Sequence, residues 1–260
     1  MNRLLTFSIL LGLLFNCNRH YIREFKPTST PSNLDKPYKI ALVGFYPLQY
    51  STVSSGQVIT TTATLNYNNS TKDYFSYGKK IEEFPSSGID PTVPTAKVKD
   101  FFLKYLSSVK RSGFEEIVKI VEIKGEGEKA EFHLKKRDID YYVVAIHGPA
   151  FDSSFGNIGR FFATGHLFLA TAGTSPLWSS IPANTQFLVY DNKLDFVGER
   201  MFENRYTVLT AWWGNSEEGL MNKKPNPEFT PKIFAPDVKE FSHEFPLWLK
   251  ERTSKKVIIK

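Results

Sequence analysis

The sequence predicts a single α/β domain with a mixed sheet, an edge hairpin insertion and a few packed helices. Two observations carry this prediction. Short apolar runs alternate with polar segments, and one longer segment repeats apolar residues at spacings of three and four. Strands that alternate with a helix along the chain are typical of layered α/β folds. Aromatic residues make up 15% of the chain, and this abundance suits strands and a substantial core.

The fold is predicted to begin at Tyr38. Residues 39–45 form a short apolar run typical of a buried strand, and Pro47 is expected to end it. Residues 57–84 are rich in Thr, Val, Ile and Tyr around a polar turn at 66–71. We expect two strands there, inserted at the edge of the sheet.

The clearest helix is predicted over 96–111. Thr95 is its expected N-cap, and Gly113 is the expected residue after its carboxyl end. Its lysines lie off the apolar stripe, so we expect them to face solvent, with a membrane surface as the alternative. The stripe itself consists of Val98, Phe101, Phe102, Tyr105, Leu106 and Val109.

The second half of the chain predicts further strands and a terminal helix. The strands are expected at 114–123, at 141–146, and in a hairpin formed by 185–190 and 194–198. Residues 124–137 are charged and should lie on the surface. The remaining segments are 206–213, a strand or short helix; 214–236, an irregular loop; and 237–251, a helix that Pro246 should kink or break.

These segments must bury their apolar faces together. We therefore expect one shared core, formed by Ile40, Leu42, Val43, Phe101, Leu106, Val144 and Ile146. The stretch 158–173 is strongly apolar, punctuated by glycines and too short to span a membrane as a helix. Internal burial is the favoured interpretation of this stretch, and an exposed docking surface is the alternative.

The amino terminus has the pattern of an export signal. Arg3 gives it a basic start, residues 4–15 are mostly apolar, and Cys17, the one cysteine of the chain, follows Asn16. Residues 1–16 are predicted to be a signal peptide, 17–37 a lipidated flexible tether, and 38–260 the α/β domain. Prolines interleaved with Ser and Thr support the tether: Pro27, Pro31 and Pro37.

The segment Leu14-Phe15-Asn16-Cys17 resembles the relaxed lipobox of spirochaetal, especially leptospiral, lipoproteins. Asn16 departs from the small residue of the usual enterobacterial pattern. The resemblance implies a diacylglycerol on the Cys17 thiol, cleavage before Cys17 and an acylated amino group, with palmitate as a component. It also implies a lipid-anchored protein of the cell envelope, at the outer membrane. Two or more acyl chains make a stable anchor.

Composition narrows the classes of partner and site. The net charge of +6 is spread along the chain with both signs interspersed, and nucleic acid would require a clustered basic face. We therefore expect no nucleic-acid partner. Once Cys17 carries lipid, an internal disulfide and a cysteine-based zinc site are excluded. No cofactor or metal is expected, because no phosphate-binding loop or metalloprotease motif occurs.

His147 is the best candidate for a polar site. It ends the apolar strand 141–146, and the carboxyl ends of strands are where sites form in α/β sheets. Asp152 and Ser153 follow closely. We nevertheless expect His147 to be a hydrogen-bonded structural residue, and we expect the same of His166 inside its apolar stretch.

Other candidates have plain structural interpretations. Asp138 and Asp140 could act as paired carboxylates, but a solvated turn explains them better. The tryptophans could anchor a partner, although core packing is the commoner role. They are Trp178, Trp212, Trp213 and Trp248.

The sequence therefore predicts no catalytic residue and one modified residue, Cys17. The expected role is non-enzymatic binding or assembly with an envelope protein or a host ligand, with the membrane reached through the acylated cysteine. The alternative is an envelope hydrolase or transferase with a site near His147.

Overall fold

The structure is a computed structural model that describes residues 17–21, 23–27, 33–55, 58–148, 170–171, 175, 177–211 and 230–258. Three helices are described: α1 (Thr95–Val109), α2 (Phe114–Ile117) and α3 (Thr230–Ile258). The strands are β1 (Cys17–Tyr21), β2 (Ile40–Ser55), β3 (Val58–Leu65), β4 (Lys79–Lys80), β5 (Val121–Lys124), β6 (Glu131–Leu134), β7 (Tyr141–His147), β8 (Leu177–Pro182), β9 (Thr185–Asp191), β10 (Phe196–Phe202) and β11 (Arg205–Ala211).

A six-stranded mixed sheet forms the centre of the fold. Its strand order is β10-β9-β7-β2-β3, and β4 also pairs with β2. β2 runs parallel to β7, whereas β9 is antiparallel to both β7 and β10. The protein is a single α/β domain with a mixed sheet, as predicted. The strand predicted at 141–146 and the hairpin predicted after Thr185 are both present.

Helices cover both faces of this sheet, so the core is divided into two clusters. α1 packs on one face, where Phe101, Val144 and Ile146 are buried. α3 packs on the other face against Ile40 and Leu42. The prediction of one shared core was wrong, because neighbouring residues of a strand point to opposite faces of the sheet.

α1 matches the predicted helix but differs at its ends. Pro94, not Thr95, is the N-cap residue. The helix ends at Val109, and the C-cap residue Lys110 has a φ of 57°. Gly113 lies in the following 3-10 turn with a φ of −80°. Residues 114–123 were predicted to be one strand, but they form α2 and the start of β5.

α3 is longer than predicted and continues through two prolines, Pro236 and Pro246. An interior proline destabilises a helix by about 3 kcal/mol or more. Burial of large apolar side chains offsets this cost, since each contributes about 1.5–3 kcal/mol. The buried side chains are Val238, Phe241, Phe245 and Leu249. Most of the loop predicted at 214–236 lies outside the described residues.

β2 continues past Pro47, where we expected it to end. A register shift between Gly44 and Pro47 marks a bulge against β7, and proline is tolerated at bulges. Beyond the bulge, β2 pairs with β3 from Leu48↔Leu65 to Ser55↔Val58. The edge hairpin therefore exists, but the second predicted strand of 57–84 is only the short β4 and two 3-10 turns.

The N-terminal segment differs from a free tether where it is described. Cys17–Tyr21 is strand β1, antiparallel to β11. Arg23 forms ion pairs with Asp237 and Glu240 of α3, and Phe25 packs edge-on against the ring of His243. The edge of β11 and three residues of α3 (Asp237, Glu240 and His243) provide these contacts. The prediction of a flexible tether did not include these contacts, because the prolines and the Ser and Thr residues of 17–37 indicate only an extended chain.

Candidate functional site

His147 lies at the carboxyl end of β7 and is completely buried. Its Nε2 lies 2.6 Å from the Thr71 hydroxyl, and its Nδ1 lies 3.1 Å from the Thr185 hydroxyl. The ring of Phe234, from α3, stacks on the imidazole at 4.6 Å. Burial lowers the pKa of His147 to about 3. A neutral ring with both nitrogens satisfied is the environment expected of a structural histidine.

A buried carboxylate lies next to this histidine. Asp237, in α3, interacts with the Thr185 hydroxyl and accepts a hydrogen bond from the Asn204 amide. Its other partner is Arg23, at 3.8 Å. Burial raises the pKa of Asp237 to about 6, although these partners oppose the shift. Thr71, His147, Thr185 and Asp237 therefore form a buried polar chain between the sheet and α3.

This arrangement bears directly on the hydrolase or transferase alternative. A histidine that acts as a general base needs one ring nitrogen within reach of a substrate proton. Both nitrogens of His147 face threonine hydroxyls, and Phe234 covers one face of the ring. Asp152, Ser153 and His166 lie outside the described residues, as does most of the stretch 158–173.

A buried charged cluster in the interior was not predicted. Lys72 and Glu116 form an ion pair of 2.7 Å, and their side chains are 1% and 0% exposed. Glu116 also accepts hydrogen bonds from the Gly44 backbone and from Lys119. Lys119 pairs in turn with Glu82, and these two carboxylates raise the pKa of Lys119 against the opposing effect of burial.

Tyrosines surround this ion pair. The Lys72 ammonium lies 4.6 Å from the centre of the Tyr46 ring and 3.3 Å from its hydroxyl. Burial, with a contribution from Glu116, raises the pKa of Tyr67 to about 12. The cluster holds the bulge of β2, where Gly44 and Phe45 have φ values of 74° and 65°. Residues 44, 72 and 116 are distant in the sequence, so no local pattern signals their association.

Two open clefts flank Tyr77. One has a volume of about 340 Å³ and is lined by Tyr38, Lys39 and Lys79 among others. The other has a volume of about 430 Å³, and its walls include Phe25, Tyr74, Lys239 and His243. Each cleft combines aromatic rings with amines. Lys239, for example, lies 5.2 Å from the centre of the Tyr74 ring.

The other predicted residues have local partners. Asp138 pairs with the Lys39 ammonium, and Asp140 accepts the Lys39 backbone N–H at 2.8 Å. Trp248 packs on Phe241 and Phe245. Trp178 belongs to β8, and Trp212 and Trp213 lie outside the described residues.

All three lysines of α1 contact their own domain. Lys97 pairs with Asp195 at 2.7 Å, and Lys104 lies over the Phe196 ring at 5.0 Å. Lys99 lies 5.9 Å from the centre of the Phe132 ring. Within the described part of the chain, no three His, Cys, Asp or Glu side chains are grouped as they would be to hold a metal ion. Among the helices in that part, none has the length and apolar character needed to cross a membrane.

Comparison with known proteins adds no family to this description. No protein-family model, no curated protein and no solved structure matches the chain.

Proposed function

We propose that this chain is a lipid-anchored protein of the cell envelope that binds another envelope component or a host ligand. The anchor is Cys17, which the lipobox-like segment Leu14–Cys17 marks for acylation. The outer membrane is the proposed location. Binding, rather than catalysis at His147, is the role that the geometry supports best.

The pair of clefts around Tyr77 carries the binding role. Aromatic rings offer apolar faces for stacking, and the adjacent amines offer charge for an anionic group. Lys79 lies in one cleft, beside the Lys39–Asp138 ion pair, and Lys239 lies in the other. The proposed ligand is therefore partly apolar and carries negative charge. The imidazole of His147 is enclosed by Thr71, Thr185 and Phe234, whereas these clefts are open to solvent.

Photocrosslinking in intact cells tests the binding role. A photoreactive residue in place of Tyr77 should give a discrete adduct, because it sits between the two clefts. The matched control replaces Leu103, which is 52% exposed on α1, on the opposite side of the sheet. An adduct at 77 and none at 103 supports the proposal. Equal labelling at both positions, or none at either, would contradict it.

Mass spectrometry of the mature amino-terminal peptide tests the anchor. The expected result is a peptide that begins at Cys17 and carries a diacylglycerol and an amide-linked acyl chain. An unmodified Cys17, or retention of Met1, would reject lipid anchoring and leave the binding experiment to be judged separately.

A further inference from the structure

Tyr77 belongs to both open clefts and separates them. The first, which we name the Tyr38 cleft, also contains Lys79, and the second, the Tyr74 cleft, also contains Ser76. Three positions of one short segment, 76, 77 and 79, therefore line the second cleft, both clefts and the first cleft in turn. Because one ring borders both clefts, they are adjacent, and a ligand longer than one cleft can cross that ring into the other.

The core holds the ring of Tyr77 in this position. The ring stacks on Phe245 of α3, with centroids 6.3 Å apart, and it lies edge-on to Phe75. Gly78, the next residue, packs against Leu42 of β2, where a Cβ on the glycine would be 2.4 Å from a side-chain carbon. A larger residue would push this segment away from the sheet, so glycine allows the close approach that fixes Tyr77 between the clefts.

The same chemistry occurs on both sides of this ring. Each cleft has two further aromatic rings and one exposed lysine that, within the described part of the chain, lies in no ion pair. These are Tyr38, Phe84 and Lys79 in the first cleft, and Phe25, Tyr74 and Lys239 in the second. Lys39 and Asp138 of the first cleft neutralise each other. A ligand that fits both clefts must therefore repeat an apolar face and a negative charge.

The main chain of the clefts offers few hydrogen bonds to a peptide. Four backbone N–H groups of the walls already donate within the fold, those of Lys39, Tyr74, Ser76 and Phe84. The two prolines of the walls have no N–H group. An extended peptide added to a sheet is held by main-chain hydrogen bonds. A proline-rich segment could dock on the rings, but proline has no charge for the two amines.

An acidic oligosaccharide has the required repeat. The axial C–H bonds of a pyranose form an apolar face, which packs on the negative face of an aromatic ring. Each uronic acid also carries one carboxylate, which an ammonium group can bind. We propose that the two clefts form one continuous site for an acidic glycan that crosses the ring of Tyr77, with one carboxylate at Lys79 and another at Lys239. This inference rests on the proposed binding role and names the class of its ligand.

Calorimetric titration of the purified full chain tests this site. The probes are oligogalacturonates of increasing length, from two to eight sugars. Maltooligosaccharides of the same lengths are the neutral control, and oligoglutamate is the control for a polyanion that is not a sugar. The Kd should fall by at least about tenfold once the oligogalacturonate is long enough to occupy both clefts, because the second contact is then intramolecular. Both controls should bind at least about tenfold more weakly than the longest oligogalacturonate.

Substitutions at the two lysines test whether the clefts act together. Lys79→Gln and Lys239→Gln should each remove the gain in affinity with length, because each leaves only one cleft complete. The matched control is Lys80→Gln, an exposed lysine next to Lys79 that lines neither cleft, and it should bind like the wild type. Tyr77→Ala should weaken binding at every length. Melting temperatures show which variants are folded, and the surface lysine variants decide the matter if Tyr77→Ala is not.

Three results would overturn the acidic glycan as the ligand. They are no binding of any oligogalacturonate, an affinity that does not change with length, and equally tight binding of either control compound. Photocrosslinking at position 77 then separates this failure from that of the proposed function. A discrete adduct would keep the binding role with a ligand of another class, whereas absence of the adduct would reject the binding role itself.

Discussion

His147 and Asp237 are both buried, and both interact with one hydroxyl, that of Thr185. The histidine bonds to it through Nδ1 at 3.1 Å, and the aspartate interacts with it from α3. Burial shifts the two groups in opposite directions on the pH scale, lowering the pKa of His147 and raising that of Asp237. Both shifts favour the neutral form, and the two groups make opposite contributions to stability as the pH changes.

We predict that His147 destabilises the folded protein in acid. Its pKa is about 3 in the fold and 6.5 in the unfolded chain, so below pH 6.5 the unfolded chain binds the extra proton. The contribution of His147 to the free energy of unfolding falls by about 1.4 kcal/mol for each unit by which the pH decreases between those values. His147→Gln, which can still bond to both threonines, should have a shallower loss of unfolding free energy from pH 6.5 to 4. Parallel denaturation profiles for the two proteins would show that the histidine is not held neutral.

Asp237 should behave in the opposite sense. Its pKa is about 6 in the fold against an ordinary 3.8, so the folded protein loses stability as the pH rises between these values. Asp237→Asn should therefore exceed the wild type in unfolding free energy at pH 8, by at most about 3 kcal/mol. The difference in unfolding free energy between the variant and the wild type should disappear below pH 4.

The control for this comparison is Glu240→Gln. Glu240 shares Arg23 with Asp237 but keeps a side chain that is 22% exposed, so this variant removes a partner of Arg23 without changing the buried carboxylate. Chemical denaturation at pH 4, 6 and 8 measures all three proteins. If Asp237→Asn matches the wild type at pH 8, the carboxylate is solvated in the folded protein.

The sequence predicts those elements whose signal is local. β7 and α1 were predicted well because an apolar run or a stripe at helical spacing determines which face is buried. α3 was predicted too short, because the local effect of Pro236 and Pro246 is weaker than the burial of Phe241 and Phe245. Only the tertiary structure shows that burial.

The polar interior could not be predicted for a related reason. Lys72 lies in a 3-10 turn and Glu116 in a helix of four residues, 44 positions later in the chain. Each has the pattern of a solvated charge. His147 was singled out because it ends a recognisable strand, but its threonine partners come from two other segments. Partners that are this distant in the sequence produce no periodic pattern from which their contact could be predicted.

We predict that the Lys72–Glu116 pair is more costly to break than to replace. Glu116→Leu leaves the Lys72 ammonium buried without its carboxylate, which should lower the unfolding free energy by about 3–5 kcal/mol. Lys72→Met combined with Glu116→Leu removes both charges and should lose less than the single variant. A double-mutant cycle by urea denaturation measures the difference. Strictly additive losses would mean that the two side chains do not interact.

The last prediction concerns the bulge that this pair supports. A Cβ on Gly44 would lie 2.4 Å from the Ala145 carbonyl oxygen, a backbone atom of the central strand β7. The φ of 74° adds strain for any residue other than glycine. Gly44→Ala should therefore lower the unfolding free energy by about 2–5 kcal/mol. Gly127→Ala is the matched control, because it has a φ of 58° with no atom within 4 Å of the added carbon, and it should lose only about 1–2 kcal/mol. Similar losses in both variants would show that backbone strain alone, and not the close approach of β7, requires glycine at position 44.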